Sequence, residues 1–310
     1  MMNDHKYYRD LLKAHYPGLE IEGTPVPSGQ RLVYFARFDD FKREEAEGTK
    51  LYPWSSWGAV VLKVSNADDT NWSSRASQEI AILNSFNSEY FPSFHHNEIL
   101  SFDPETENII HPKLLITIEE RIDGEPLVNL LEDYSSEASV RWLIIELIKG
   151  LRLLWEHEHQ YVHRDLKPEN ILVRKNGGIV IIDLGIVREA GQDGLTVTAS
   201  EFGPCTPAYA SPEQAKNDKL NINYKSDIFS LGVLCYFLLT KKNPFVTNKD
   251  ITAGEVLKNV CELVPPALGE LGFNVTDELS RIVEKMMAKQ PYQRYRKVNL
   301  LLSDLNNNME

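Results

Sequence analysis

The sequence predicts an α+β protein of two lobes, a small β-rich N-terminal lobe and a larger, mainly helical C-terminal lobe. The hydrophobic pattern follows the period of strands up to about residue 122 and the period of helices beyond it. Between the two patterns, the segment Asp123-Gly124-Glu125-Pro126 is a cluster of turn residues. We therefore expect one lobe at residues 1–122 and the other at residues 123–310.

The N-terminal lobe is predicted to contain a five-stranded sheet and one helix. Val, Leu, Ile, Tyr and Phe are concentrated in four segments that predict four of the five strands, residues 32–38, 59–64, 98–102 and 114–118. The charged segment between the first two strands, residues 39–54, is expected to be a solvated loop. Residues 71–86 carry apolar side chains at helical spacing and are the predicted helix.

The C-terminal lobe begins with a predicted amphipathic helix, because apolar residues recur at steps of three and four from Val140 to Trp155. Residues 171–173 and 179–182 predict two strands around Asn176-Gly177, and an Asn-Gly pair is a strong signal for a hairpin. Residues 227–239 are apolar on nearly every face. This segment is therefore expected to be a buried central helix.

The composition excludes some classes of partner. The net charge of −12 argues against nucleic acid and against an anionic membrane, since both favour clustered Lys and Arg. The cysteines, Cys205, Cys235 and Cys261, form no metal-binding pattern and suit free thiols in a reducing compartment. No segment approaches the ~20 apolar residues of a membrane span. We expect a soluble, cytoplasmic protein that binds neither nucleic acid nor membrane.

The most informative segment runs from His163 to Asn170 and has the sequence HRDLKPEN. A carboxylate, an ammonium and an amide at these spacings are groups that phosphoryl transfer to a hydroxyl requires. The segment resembles the catalytic loop of the eukaryotic-like serine/threonine protein kinases, in the style of a stand-alone bacterial or phage catalytic domain. The resemblance extends over about residues 23–296 and implies the two-lobed protein-kinase-like fold.

The resemblance assigns catalytic functions to Asp165, Lys167 and Thr206. Asp165 would accept or orient the proton of the attacking hydroxyl, and Lys167 would neutralise charge on the transferring phosphoryl group. Thr206 resembles the family threonine that touches both of these residues. Mg²⁺ or Mn²⁺ would be held by Asn170 and by Asp183, which follows a buried strand in an Asp-Leu-Gly tripeptide.

Phosphate binding is assigned to the N-terminal lobe. The segment VVLK, which ends at Lys63, resembles the strand whose lysine contacts the α and β phosphates of ATP. Glu79, on the following helix, is the expected carboxylate partner of Lys63. The phosphate-binding loop departs from the family pattern, because Val26, Ser28 and Arg31 stand where glycines are usual.

The adenine site is assigned to the boundary between the lobes. The segment Glu119-Glu120-Arg121-Ile122 resembles the hinge whose main-chain groups bind adenine. Glu119 is unusual there, because apolar or small residues are common at this position in the family. The resemblance assigns nucleotide contacts, besides Lys63 and Glu79, to Gly29, Val33, Val61, Glu120, Ile122 and Leu172.

Residues 183–213 resemble an activation segment. Arg164 is expected to pair with a phosphate on this segment, because charge-assisted hydrogen bonds to a phosphate can order a loop. The candidate phosphate acceptors are Thr196, Thr198 and Ser200. Glu213 and Arg294 match a charge pair that ties the end of the segment to the last helices, and Asp227 matches a carboxylate that braces the catalytic loop.

The sequence therefore predicts a serine/threonine protein kinase that transfers the γ-phosphate of ATP to protein substrates and phosphorylates itself. One alternative is a pseudokinase or nucleotide-binding scaffold, which the altered phosphate-binding loop favours. The other is a small-molecule kinase, against which the segment from Thr206 to Glu213 argues. The sequence does not indicate the substrate, the pathway, the activating signal or the oligomeric state.

Overall fold

The computed structural model describes residues 5–28, 31–38, 42–45, 48–184, 188–189 and 205–307. The chain divides into two compact units. The first unit comprises Met1–Ser88 and Pro92–Ile122, and the second comprises Glu89–Phe91 and Asp123–Glu310. The first unit is rich in strands and the second is mainly helical, as the hydrophobic pattern predicts.

The first unit contains helices as well as strands. The helices are α1 (His5–His15) and α2 (Thr70–Ser85), and the strands are β1 (Leu19–Ser28), β2 (Arg31–Phe38), β3 (Lys42–Glu45), β4 (Gly48–Leu51), β5 (Ala59–Asn66), β6 (Phe94–Phe102) and β7 (Ile109–Glu120). Five of the strands form an antiparallel sheet of order β1-β2-β5-β7-β6. β3 and β4 form a separate hairpin.

The sheet of the first unit has one dry face and one face with polar side chains. Successive residues of a strand point to opposite faces. Tyr34, Leu62 and Ile118 belong to a buried core that also contains residues of α1. The opposite face carries Val33 of β2, which lies directly across from Lys63 of β5. The alternation therefore separates the core from the face that holds the candidate nucleotide-binding residues.

Two features of the first unit differ from the expectation. The prediction of a solvated loop at residues 39–54 is wrong, because β3 and β4 pair within this segment. Pairing between strands uses backbone hydrogen bonds and needs no apolar side chains, so a charged segment can form a hairpin. Helix α1 is an addition, and its signal is the buried set Tyr8, Leu11 and Leu12 at helical spacing.

The second unit holds the remaining elements. Its strands are β8 (Gly124–Pro126), β9 (Tyr161–Val162), β10 (Ile171–Arg174), β11 (Ile179–Ile181) and β12 (Arg188–Glu189), and its helices are α3 (Glu137–Trp155), α4 (Pro212–Ala215), α5 (Tyr224–Thr240), α6 (Ala253–Glu262), α7 (Asp277–Met286) and α8 (Val298–Asn306). β10 pairs with β11 and with β8, and β12 pairs with β9. In the part of the chain that the structure describes, no helix combines the length and apolar character needed to span a bilayer.

The predicted elements of the second unit are confirmed. Helix α3 starts at a capping box, in which the Ser136 hydroxyl accepts from the backbone N–H of Ser139 and the reverse contact is also made. The hairpin β10–β11 turns at Gly177, whose φ of 91° suits glycine. Helix α5 is buried on nearly all sides, so it forms the centre of this unit's core.

The close packing of α5 gives a test of this core. A Cβ at Gly232 would lie 2.8 Å from Cγ of Met287 and 2.9 Å from Cβ of Met286. Alanine favours a helix over glycine by about 1 kcal/mol, but overpacking a core costs about 1–3 kcal/mol. We therefore expect Gly232→Ala to lower the free energy of unfolding, as measured by urea denaturation. Gly269→Ala, where the nearest atom is 3.8 Å away, is the control and should change stability little.

Candidate active site

A buried carboxylate holds the predicted catalytic loop of the second unit, residues 163–170. Asp227 lies in the first turn of α5 and is fully buried. Its oxygens accept the backbone N–H groups of His163 and Arg164, both at 2.9 Å, and the indole N–H of Trp155 at 2.8 Å. Burial raises the pKa of Asp227, whereas the N–H donors favour its ionised form. These contacts fix a loop backbone in which Arg164 has a φ of 71°.

Asp165, Lys167 and Thr206 form a closed set of contacts. Lys167 Nζ lies 2.7 Å from Asp165 Oδ2 and donates to Thr206 Oγ1 at 2.9 Å. The hydroxyl of Thr206 donates to Asp165 Oδ1 at 2.5 Å. Thr206 stands immediately before a short 3-10 helix, Pro207–Tyr209, so the fold brings the end of the predicted activation segment onto the catalytic loop.

The environment keeps Asp165 ionised. Burial favours the neutral acid, but the ammonium of Lys167 and the hydrogen bonds from Lys167 and Thr206 hold the pKa of Asp165 below its ordinary value. The hydrogen bond from Thr206 places an alcohol against Oδ1 of an ionised carboxylate. A carboxylate in this state can accept the proton of a reacting hydroxyl.

The hairpin β10–β11 brings the two predicted metal ligands to the same end of two paired strands. The backbone N–H of Ile182 donates to the carbonyl of Asn170 at 2.9 Å, and Asp183 is the next residue. Asp183 has a φ of 64°, a left-handed conformation that is uncommon outside glycine. The side-chain nitrogen of Asn170 donates to the carbonyl of Asp165 at 2.9 Å and to its Oδ2 at 3.0 Å. This orientation turns the amide oxygen of Asn170 away from Asp165.

The oxygens of Asn170 and Asp183 fit a hard divalent cation. Mg²⁺ is usually bound through one or two protein oxygens, with water and substrate phosphate completing its coordination. Within the described residues, no three His, Cys, Asp or Glu side chains are grouped as a complete metal site. Two protein oxygens form the donor set of a cation whose other ligands are water and phosphate.

A buried ion pair fixes the segment that follows Thr206. Arg294 donates from Nη1 and Nη2 to the two oxygens of Glu213, at 2.7 and 2.9 Å. Ser226 also donates to Glu213, at 2.7 Å. The side-chain amide of Gln214 donates to the carbonyl of Arg164 at 2.8 Å. The start of α4 is thus tied both to the catalytic loop and to the C-terminal part of the unit.

In the first unit, four charged residues meet on the polar face of the sheet. Lys63 Nζ lies 2.8 Å from Oε1 of Glu79 and 2.8 Å from Oε1 of Glu119. Arg31 Nη1 lies 2.6 Å from Oε2 of Glu79. We call Arg31, Lys63, Glu79 and Glu119 the four-charge cluster. Its members come from β2, β5, α2 and β7.

The surroundings shift the pKa values of the two carboxylates of the four-charge cluster in opposite directions. Burial opposes ionisation of Glu79, but Lys63 and Arg31 lower the pKa of Glu79 to about 2. Burial and the nearby charge of Glu79 raise the pKa of Glu119, although Lys63 opposes this change. Glu79 therefore stays ionised to a lower pH than Glu119 does.

Sequence reasoning does not place Arg31 and Glu119 beside Lys63, although both residues are noted as departures from the family pattern. The signal that finds them is the strand register. Val33 and Thr117 lie directly across from Lys63 on the two neighbouring strands. Arg31 is two residues before Val33 and Glu119 is two residues after Thr117, so both share the face of Lys63.

The remaining predicted nucleotide contacts divide between the two units. Val33 and Val61 lie on the face of the first unit that carries Lys63, and Val61 is directly across from Glu119. Glu120 ends β7, and its carboxylate accepts from the backbone N–H and the hydroxyl of Ser93 at 3.1 and 3.0 Å. Ile122 ends the first unit, and Leu172 pairs with Val180 in the second. Four predicted residues lie outside the described part of the chain: the nucleotide contact Gly29 and the candidate phosphate acceptors Thr196, Thr198 and Ser200.

These features define the class of the protein. The protein kinase domain family matches residues 55–304. The chain belongs to the protein kinase family, which confirms the predicted fold class and the resemblance of the catalytic loop.

Bacterial serine/threonine kinases are among its relatives. The chain is 31% identical to a probable serine/threonine-protein kinase of Streptomyces coelicolor, over 69% of this chain and 31% of that protein. It is also 31% identical to the serine/threonine-protein kinase PknB of Mycolicibacterium smegmatis, over 69% of this chain and 36% of that protein. A probable PknB of Lactococcus lactis is 31% identical over 61% of this chain and 29% of that protein. The chain thus spans about a third of the length of these relatives.

The support that Asp227 gives to the loop can be tested through stability. Asp227→Ala would leave three buried N–H groups without their acceptor, and each such loss costs about 1–3 kcal/mol. We expect a fall in the free energy of unfolding of at least about 3 kcal/mol, measured by chemical denaturation. Asp277→Ala, an exposed acid in the first turn of α7, is the control and should cost under about 1 kcal/mol. Equal effects of the two substitutions would contradict the bracing role of Asp227.

Proposed function

We propose that this chain is the catalytic domain of a serine/threonine protein kinase that transfers the γ-phosphate of ATP to hydroxyl groups of protein substrates. The observation that carries the proposal is the set of contacts among Asp165, Lys167 and Thr206. It combines an ionised carboxylate, an ammonium and a hydroxyl at hydrogen-bonding distance, which is the arrangement that phosphoryl transfer to an alcohol needs. The names of the bacterial relatives support the choice of serine and threonine.

The proposed reaction uses the residues of the second unit in distinct ways. Asp165 receives the proton of the substrate hydroxyl as the hydroxyl oxygen forms its bond to the γ-phosphorus and the bond to the ADP oxygen breaks. Lys167 offsets the negative charge of the phosphoryl group during transfer. Asn170 and Asp183 would hold the Mg²⁺ or Mn²⁺ that neutralises phosphate charge when bound. Thr206 fixes Asp165 and Lys167 relative to each other.

We further propose that the first unit is the nucleotide-binding lobe and the second the catalytic lobe. Lys63, held by Glu79, would contact the α and β phosphates. The assigned contacts to the rest of the nucleotide are Gly29, Val33, Val61, Glu120, Ile122 and Leu172. A reaction that consumes ATP and the free thiols of Cys205, Cys235 and Cys261 support a cytoplasmic location.

Removal of the proposed base gives the first test of this function. We expect Asp165→Asn to lower the rate of phosphate transfer from labelled ATP by about 10²–10⁴-fold, because the amide cannot accept the proton. Binding of MgADP, measured by calorimetry, should stay close to that of the wild type. Asp250→Asn, an exposed substitution of the same kind, is the control.

The outcome also separates the alternatives. Wild-type protein that binds MgADP but transfers no phosphate to protein would support a pseudokinase. Transfer to a small molecule but not to protein would support a small-molecule kinase. Substantial protein phosphorylation by Asp165→Asn would contradict the role of Asp165.

The metal ligands give a separate test. We expect transfer to stop in excess EDTA and to return with Mg²⁺ or Mn²⁺, since the phosphates need a bound cation. Asp183→Asn should remain inactive at any Mg²⁺ concentration, whereas Asn170→Ala should need a higher concentration than the wild type. Undiminished transfer in EDTA, or wild-type metal dependence in both variants, would show that these residues do not hold the cation.

A further inference from the structure

The four-charge cluster extends the usual pairing of one lysine with one glutamate. The two side chains that the kinase resemblance does not explain are Arg31 and Glu119. They flank Lys63 on the neighbouring strands β2 and β7, and each makes a close ion pair within the cluster. Glu79 is shared, since Lys63 contacts its Oε1 and Arg31 contacts its Oε2.

The cluster is formally neutral and largely removed from water. Glu79 and Glu119 are each 3% exposed, and Arg31 is 7% exposed. The side chain of Lys63 is 14% exposed. A buried charge is tolerated when a partner of opposite sign compensates for its lost hydration. Two cations and two carboxylates meet this condition together.

Loss of one member of the four-charge cluster would unbalance the other three. Without Arg31, two buried carboxylates would face the single ammonium of Lys63. Like charges at such separations cannot both stay ionised without cost, so one carboxylate would take up a proton or move away. Glu119 is the candidate, because burial and Glu79 already favour its protonated form. While Glu119 stays ionised, it would compete with Glu79 for the single ammonium and displace Lys63, and protonation of Glu119 would relieve this competition.

The position of Arg31 in the chain links its ion pair with Glu79 to phosphate binding. It is the first residue of β2 and lies directly across from Ser28, the last residue of β1. It therefore ends the connection that corresponds to the phosphate-binding loop of the family. Its ion pair with Glu79 attaches the end of that connection to α2.

We propose that Arg31 and Glu119 are positioning residues, which hold Lys63 and Glu79 as part of a neutral four-charge cluster, and that Arg31 performs this function at a position where the kinase resemblance predicts a glycine. Arg31 secures the second oxygen of Glu79, and Glu119 holds Lys63 from the opposite strand. The direction of Lys63 is thus set by two carboxylates, whose charge is balanced by Lys63 and Arg31 together. This inference rests on the proposed kinase function, in which Lys63 contacts the nucleotide phosphates.

A double-mutant cycle tests the inference. The variants are Arg31→Gln, Arg31→Gly, Glu119→Gln and the double variant with Arg31→Gln and Glu119→Gln. The control is Arg37→Gln, which removes an exposed cation from the same strand. The measurements are kcat and KM for ATP with a general protein acceptor, the dissociation constant of MgADP by calorimetry, and the thermal unfolding temperature.

The expected result is compensation between the two positions. We expect Arg31→Gln and Arg31→Gly to lower kcat/KM on the order of 10²-fold, because a displaced lysine no longer orients the phosphates. The double variant restores neutrality with one Lys63–Glu79 pair, and it should lie within about tenfold of Glu119→Gln. Arg37→Gln should match the wild type. If Arg31→Gln does not fold, the double variant should fold and transfer phosphate.

The pH dependence separates positioning from a general loss of structure. In Arg31→Gln, protonation of Glu119 restores neutrality, so activity relative to the wild type should rise as the pH is lowered below neutrality. The double variant has no carboxylate at position 119 and should not show this rise. A variant that is merely less folded would lose activity further as the pH falls.

Three results would overturn the inference. The first is an Arg31→Gly variant as active as the wild type, since a glycine would then suffice. The second is a double variant whose loss equals the product of the two single losses, because the residues would then act independently. The third is a double variant that does not fold. A wild-type protein without phosphate transfer would instead reject the proposed kinase function, while the compensation in unfolding temperature and MgADP binding could still be measured.

Discussion

The carboxylate of Asp227 is the point on which the catalytic loop of the second unit depends. It is fully buried at the start of α5, and its oxygens accept N–H groups from the loop and from the end of α3. Because the rest of α5 is packed in the core, the hydrogen bonds to Asp227 attach the loop backbone to a rigid helix. Asp165 and Lys167 can then keep one relative arrangement while Thr206 joins them from a distant part of the chain.

Buried charges need partners in the first unit as well, and there the four-charge cluster meets this need. Arg31 and Glu119 would be costly as isolated buried charges, and each is compensated by a member of the Lys63–Glu79 pair. At this position the kinase resemblance predicts a flexible glycine, whereas the chain has Arg31. It adds a cation where Glu119 adds an anion, and the two departures from the family pattern balance each other.

The elements that the sequence predicts well are those whose signal is local. Helix α3 and the hairpin β10–β11 follow from apolar periodicity and from Asn176-Gly177, which act within a few residues of chain. The hairpin β3–β4 escapes prediction because β3 consists of charged residues and β4 has one apolar residue, and strand pairing through the backbone leaves little trace in hydrophobicity. Helix α1 has a recognisable apolar pattern. The stabilisation that this pattern provides depends on the sheet core against which Tyr8 and Leu12 pack.

The sequence by itself predicted the chemistry of the candidate site. The segment from His163 to Asn170 resembles the catalytic loop of the protein kinases, and this resemblance indicates the class of reaction, because Asp165, Lys167 and Asn170 stay near one another wherever the loop is intact. The kinase resemblance also names Glu79 as the partner of Lys63, whereas only the tertiary structure shows that Glu119 is a second partner. The partners Glu79 and Glu119 lie on different elements, and Arg31 reaches Glu79 from a third. Strand register and helix packing bring these residues together, and neither is a local property of the chain, so their mutual compensation is visible only in the folded protein.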